Sequence, residues 1–421
     1  MDYKEVTRCR ICNSDRLHKY LDLGKQPLAN SLQRKRNSRV KKYPLAVLFC
    51  DVCALSQLSI IVEPEILYKD YPYNSSVSTT FKNHCREFAE TVQKMLSREI
   101  LKVGDTKGNS DAYTFFQRDR SVLDIGANDG CLLEEFKRIG FSAWGVEPDS
   151  KLASKAESKG ITMTNAFWSY RNAFRIPPVD VISATNCLAH VDDLYGFLDA
   201  VRHKLKKWKN GFFVLEVPYL WNLISKNQFD TVYHEHLSYF LFKPLKEILQ
   251  LNGLYPFKVE HHDIHGGSLR VYASHELIPE DGSVRDLEKF ERDNGLYDLQ
   301  TYLGYGEKVS SLKKELVGLL KNLKKKRKKV VGYGASAKGT TLLNYCNIDS
   351  TYISKIIDDT PEKQGKFVPG VGIPVVSRDH FDTTHPDYIA LLSWNFKLEL
   401  IEKTKHLGAK YITPIPRVEV L

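Results

Sequence analysis

Ser121-Val-Leu-Asp-Ile-Gly-Ala-Asn-Asp-Gly130 carries the architecture of the chain's centre. Ser121 to Ile125 is a short apolar run holding one acid, the pattern of a buried strand. The glycine turn Gly126-Ala-Asn-Asp-Gly130 follows at once. Cys131-Leu-Leu-Glu-Glu-Phe-Lys-Arg-Ile-Gly140 then reads as a helix that ends on glycine. The next strand, Ser142 to Pro148, carries Glu147 near its end. In this order the turn lets a ligand approach the backbone closely, and the acid on the second strand suits ribose hydroxyls.

Moving away from that turn, Asp180 to Thr185 and Gly211 to Val217 are further strand candidates, with a helix around Leu194 to Trp208 between them. Alternation at this spacing predicts a doubly wound sheet with ligands at the carboxyl ends of its strands. The turn is G-x-x-x-G with an acid two residues ahead, where a pyrophosphate-binding dinucleotide turn would read G-x-G-x-x-G. It resembles the first motif of S-adenosylmethionine-dependent methyltransferases. That resemblance puts Asp124 near the methionine portion and assigns Gly126, Asn128, Gly130, Glu147 and Asn186 to the cofactor. The strand geometry sets Asn165, Ala166 and Phe167 beside an adenine.

The 421 residues are enough for two to four domains, and a hydrophobic fraction of 42% excludes wholesale disorder. The N-terminus shows no apolar signal region, and no window approaches the ~18 apolar residues of a membrane span. A soluble, cytoplasmic protein with no membrane partner is the expectation. The formal charge of +10 favours anionic partners without choosing among nucleic acid, a membrane surface and a phosphorylated small molecule. The run Lys324 to Lys329 reads as a solvated helix end.

Cys9/Cys12 and Cys50/Cys53 form two C-x-x-C pairs. Each presents two thiolates to one metal, so the four together close a tetrahedral zinc site with no open position for chemistry. The 37 residues between the pairs exceed the usual ribbon spacing, but a longer loop adds little closure entropy. Cys85, Cys131, Cys187 and Cys346 read as small hydrophobes. The basic stretch Gln33 to Lys42 lacks the interleaved aromatics of a base-stacking surface, so a basic loop is the expected role.

Thr231-Val-Tyr-His-Glu-His-Leu-Ser-Tyr-Phe240 gathers two histidines, a glutamate and two tyrosines. The histidines are not at i, i+4, so this is no metalloprotease helix. The residue types suit a general base, an acid and a hydroxyl donor. The cysteine pairs, Tyr73-Asn-Ser-Ser76, Asp124 to Gly130, Asn186 to Val191, Tyr233-His-Glu-His236 and His265-Gly-Gly-Ser-Leu-Arg270 occur in one order. Gly332 to Gly339 and Asp358 to Pro374 extend the set over nearly the whole chain. In this the sequence resembles the zinc-containing sugar C-methyltransferases, which act on nucleotide-linked 4-keto-6-deoxy sugars, usually at C3. The resemblance implies His236 as the base, with Tyr233, Glu235, Tyr73 and His190 around the reacting sugar.

From Asp286 to Lys329 the pattern is helical, with an apolar stripe at Val309, Leu312, Leu316, Leu319 and Leu323. A strand to Tyr333, a glycine turn and Lys338 at a helix start then make a phosphate-type site. Taken alone, that site leaves open a fused nicotinamide-dependent oxidoreductase. The resemblance instead implies a domain that grips a nucleotide-sugar, dTDP-linked, with Ser336, Lys338, Trp394 and Asn395 as contacts. The expected architecture is α/β throughout. Residues 1–80 form a zinc-binding module, 81–280 a doubly wound methyltransferase domain and 281–421 a Rossmann-like domain for the nucleotide-sugar. A methyltransferase that uses its zinc module to hold nucleic acid is the competing reading; the keto-sugar reading expects no nucleic-acid partner.

Overall fold

The computed structural model describes residues 2–36, 38–67, 79–104, 120–205 and 211–421. Two compact units are present, and both are discontinuous in sequence. One comprises Met1–Pro72, Tyr219–Leu241 and Arg292–Leu421; the other comprises Tyr73–Pro218 and Phe242–Glu291. Ser238–Tyr239 joins Ser56–Leu58 as an antiparallel neighbour, which draws the histidine-bearing segment into the unit that holds the cysteines.

The unit built on Tyr73–Pro218 and Phe242–Glu291 contains a seven-stranded sheet. Its spatial order is Tyr255–His262, Ser268–Ser274, Phe212–Pro218, Val181–Thr185, Ser121–Ile125, Ser142–Val146 and Thr162–Thr164. The last five are parallel, and Ser268–Ser274 runs antiparallel to both its neighbours. Sequence order reverses at Ser121–Ile125, so the carboxyl end of that strand is the topological switch point where such sheets take ligands. Every residue of Ser121–Ile125 is buried, as a central strand covered on both faces requires. Helix Cys131–Arg138 buries Leu132, Leu133 and Phe136, and Phe136 meets Phe88 of helix Thr79–Gly104 edge to face at 6.1 Å.

The same unit encloses an ion network. Arg270 Nε donates to Glu216 Oε2 at 3.0 Å from the adjoining strand, and His84 Nε2 lies 2.9 Å from both Glu216 oxygens. Burial alone would push the Glu216 carboxyl up; His84 and Arg270 overcome it and hold the group at about 2. The motif His265 to Arg270 is therefore a tight turn, with His265, Gly266 and Gly267 at positive φ, that feeds a strand and delivers a buried cation. Removing one partner of such a pair leaves an uncompensated buried charge, at a cost of roughly 3–5 kcal/mol.

The other unit contains a four-stranded antiparallel sheet, Ser238–Tyr239, Ser56–Leu58, Lys42–Cys50 and Leu17–Pro27. It also contains a six-stranded sheet in the order Val375–Val376, Ile356–Ile357, Val330–Tyr333, Tyr388–Leu391, Lys410–Thr413 and Glu419–Val420, parallel except for the last. Helix Leu299–Lys325 buries Tyr302, Tyr305, Val309, Leu312, Leu316, Leu320 and Leu323. Leu320 is buried where Leu319 was expected, because four residues on from Leu316 comes closer to a whole number of turns at 3.6 residues per turn than three residues does. Tyr302 packs on Phe49 at 4.3 Å and on Tyr20 at 5.0 Å. Gly306 is needed at this contact, since a Cβ there would lie 2.4 Å from the Tyr20 carbonyl oxygen. Among the described residues, no helix is long and apolar enough to cross a membrane.

Candidate active site and metal centre

The two C-x-x-C segments fold as matched knuckles. Asn13 N donates to Cys9 O at 3.0 Å and Ala54 N to Cys50 O at 2.9 Å, with Asn13 and Ala54 both left-handed. The long gap between the pairs is filled by the hairpin Leu17–Pro27 and Lys42–Cys50, whose pairing of Leu17 with Cys50 returns the chain to the first knuckle. All four sulfurs lie within 4.8 Å of one another, with Cys9–Cys53 at 3.4 Å and Cys12–Cys50 at 3.5 Å. A tetrahedron of sulfurs at Zn–S about 2.3 Å has edges of roughly 3.8 Å, so the set fits zinc and saturates it. Of the other cysteines, Cys85, Cys131 and Cys346 are buried and Cys187 is partly exposed. In the basic stretch, Gln33 pairs with Phe367 and Arg36 donates to Ser350, so this loop is tied down at both points.

At the switch point, Gly126 and Gly130 have φ of +74° and +76°, and a Cβ on Gly126 would press within 3.1 Å of the Cys187 sulfur. Asp124 is buried and accepts from Ser183 Oγ at 2.7 Å. Burial, opposed by that hydroxyl and aided by Glu147, pushes its carboxyl up to about 7. Glu147 accepts from Asn128 N and Asp149 N, both at 2.9 Å, which locks the turn to the end of the second strand. Its carboxyl too is raised, chiefly by burial. Asn165 Nδ2 donates to the Glu147 and Pro148 carbonyls, Ala166 N reaches Glu147 O, and the Phe167 ring is 57% exposed beside them. Asn186 is left-handed, and its buried Oδ1 has no hydrogen-bond partner in the structure. A glycine cradle, an orphaned amide oxygen, two buried acids and an open aromatic face fit S-adenosylmethionine, which offers an ammonium, ribose hydroxyls and an adenine. His190 ends the short helix Leu188–His190, and burial pushes its ring down to about 4.

The histidine-bearing segment belongs to the other unit. His236 Nδ1 lies 2.9 Å from the Thr231 carbonyl; a carbonyl only accepts, so Nδ1 carries the proton and Nε2 is the basic nitrogen. The Tyr233 and His236 rings pack at 4.1 Å. Glu235 is buried and accepts from Asn30 Nδ2 at 2.7 Å. Burial, opposed by Asn30, pushes its carboxyl up to about 7. His234 points elsewhere: its Nε2 is 3.1 Å from the Pro44 carbonyl and burial pushes it down to about 4, so it is a packing residue. Tyr73 lies outside the described residues.

In the same unit Ser336 caps helix Ala337–Tyr345 by accepting from Gly339 N at 3.0 Å. The Lys338 ammonium sits 4.7 Å from the Trp394 ring centroid, and Trp394 Nε1 donates to Asp230 Oδ2 at 2.7 Å. Asn395 follows in the turn Trp394–Phe396. Asp230 is fully buried, and burial pushes it up to about 6 against the pull of Lys338. Neither Asp230 nor Asn30 was among the residues expected from sequence. Each gains its meaning from a partner 164 or 205 residues away, and no local pattern marks it.

Three family models match the chain in succession. They are described as "Putative zinc binding domain" over residues 9–68, "Methyltransferase domain" over 88–259 and "C-methyltransferase C-terminal domain" over 263–416. The C-methyltransferase NovU of Streptomyces niveus is 30% identical over 432 residues, covering 99% of this chain and 97% of that protein. Among solved structures, the PH0226 protein of Pyrococcus horikoshii overlaps 49% of this chain and 97% of its own at 15% identity and TM-score 0.35. Magnesium protoporphyrin IX methyltransferase of Synechocystis overlaps 47% and 87% at 14% identity and TM-score 0.34. Overlays this loose say nothing about what this chain does. The nearly end-to-end relative does: the chain belongs to the C-methyltransferases, enzymes dependent on S-adenosylmethionine that carry a zinc-binding module.

Proposed function

We propose that the chain methylates C3 of a dTDP-linked 4-keto-6-deoxy sugar through an enolate. The observation that carries this reading is the 231–236 turn. It holds a histidine whose tautomer is set by the Thr231 carbonyl next to a buried glutamic acid that titrates near neutrality. A sugar carbon becomes nucleophilic only when a neighbouring ketone lets it lose a proton, and that step needs a base and donors for the oxyanion. His236 Nε2 takes the proton. Tyr233, Tyr73 and His190 donate toward the enolate oxygen, His190 as a neutral ring. Glu235, poised between its two forms, orients a partner or relays the proton.

Bound S-adenosylmethionine supplies an electrophilic methyl on a sulfonium. Asp124, Gly126, Asn128, Gly130, Glu147, Ala166, Phe167 and Asn186 hold that donor. Ser336, Lys338, Trp394 and Asn395 grip the nucleotide-sugar, Ser336 through the helix end it caps. Alignment of carbon and methyl supplies roughly 7–11 kcal/mol of the barrier reduction. In this reading 1–80, 81–280 and 281–421 remain the functional divisions along the chain. Mass spectrometry after incubation with S-adenosylmethionine and thymidine-, guanosine- and uridine-linked 4-keto-6-deoxy sugars tests the proposal. A methyl gain on the thymidine-linked member, placed at C3 by NMR, is the expected result. No gain on any keto-sugar, with methylation of an oligonucleotide instead, would overturn it.

A further inference from the structure

Glu235 is held by a residue of the cysteine-bearing module. Asn30 leaves the Leu17–Pro27 strand in a turn fixed by Ser31 N and Oγ, both on the Leu28 carbonyl at 3.2 and 2.9 Å, and by Leu32 N on Asn30 O at 3.0 Å. The glutamate's own turn is fastened to the same sheet, where Leu58 N donates to Leu237 O at 3.0 Å and Ser238 pairs with Gln57. Both partners of the Asn30–Glu235 bond are thus anchored on one four-stranded sheet, with 2.7 Å between them.

Building on the reading of Glu235 given above, we propose that Asn30 is its positioning residue, so that the zinc module takes part in proton handling although its metal does not. An amide N–H favours the ionised carboxylate, while the carboxylate's burial favours the neutral acid. The two opposed effects leave Glu235 near neutrality. The titratable groups on its own segment are Asp230, Tyr233, His234, His236 and Tyr239; from the elements around it, Tyr43 faces His234 ring to ring at 5.8 Å, Arg10 donates to Ser238, Tyr20 and Tyr305 lie near Tyr239, and Lys338 acts on Asp230, while among the described residues Asn30 is the one that bonds Glu235 itself. Asn30 is therefore the group whose replacement changes the environment of Glu235 without touching the proposed base.

Infrared titration of the full-length, zinc-loaded protein tests this without any substrate. The Glu235 carboxyl band is assigned by its loss in Glu235→Gln. Asn30→Asp keeps the side chain's shape and sets two buried carboxyls side by side, which share one proton; the upper titration step of the pair should lie about one pH unit or more above the wild-type Glu235 midpoint. Asn30→Ala, the fallback if the aspartate variant loses zinc or melts early, should raise that midpoint by less. With turnover of the keto-sugar in hand, the matching limb of the kcat–pH profile should move with the midpoint while KM for the sugar stays. An unmoved midpoint in folded, zinc-replete variants overturns the inference even if the enzyme methylates keto-sugars. A moved midpoint in a chain that methylates none overturns the proposed function and leaves the Asn30–Glu235 coupling intact.

Discussion

In one unit the turn after Ser121–Ile125 is locked by Glu147, which accepts from Asn128 N at 2.9 Å; in the other the turn after Val330–Tyr333 is locked by Asp358, which accepts from Ala335 N at 2.7 Å. Strand, glycine turn, helix and an acid on the second strand recur in both. What differs is the chemistry placed around the turn. Two residues ahead of Gly126 stands the buried Asp124, whereas the same place ahead of Gly334 is Gly332. The helix after the first turn has Gly130 at its N-cap and so no side-chain cap, while Ser336 caps the second and Lys338 adds a cation in its first turn. In the function proposed above, one backbone plan serves a ligand with an ammonium and hydroxyls in one half, and an anion in the other.

The comparison can be broken in several ways. The largest effect belongs to neither turn: His236→Asn should lower turnover by about 100-fold or more while calorimetric affinity for S-adenosylmethionine stays unchanged. Next, Asp124→Asn should weaken S-adenosylmethionine binding by about tenfold or more through a lost charge-assisted contact, with KM for the nucleotide-sugar unaffected. Lys338→Met should do the reverse by a similar factor, and equal effects of both variants on both ligands would end the division of labour.

The smallest effect is on stability. Asp124, Asp230 and Glu235 have folded-state values raised to about 7, 6 and 7. Below the ordinary carboxylate range they are protonated folded or unfolded. As pH rises from there through 6–7 the folded state must lose protons it holds more tightly than the unfolded chain, so stability falls over that window. Glu235→Gln should accordingly gain melting temperature relative to wild type at pH 8 and not at pH 4. A gain that is equal at both would contradict the raised value.

Much of this was readable in the sequence where the signal is local. Two C-x-x-C pairs announce their knuckles, and the Ser121 to Gly130 stretch announces its strand and turn, because a few adjacent residues dictate each. The 219–241 segment was not placed by any such rule; it joins the cysteine-bearing unit because Ser238–Tyr239 pairs with Ser56–Leu58. Asn30 and Asp230 were silent for the same reason, since an asparagine after a strand and an aspartate before a threonine are ordinary until their partners arrive through the fold. Arg270 stood in a recognisable motif, yet its partner Glu216 lies on a different strand and only the sheet order joins them.

Formation of an enolate at the sugar is the step on which the proposed function rests. NMR of a dTDP-linked 4-keto-6-deoxy sugar in deuterium oxide, with the enzyme and S-adenosylhomocysteine in place of the methyl donor, reads that step directly. The account predicts deuterium at C3 with the wild-type chain and none with His236→Asn. Methyl transfer by a wild-type enzyme that exchanges no C3 proton, or undiminished exchange by His236→Asn, would contradict it.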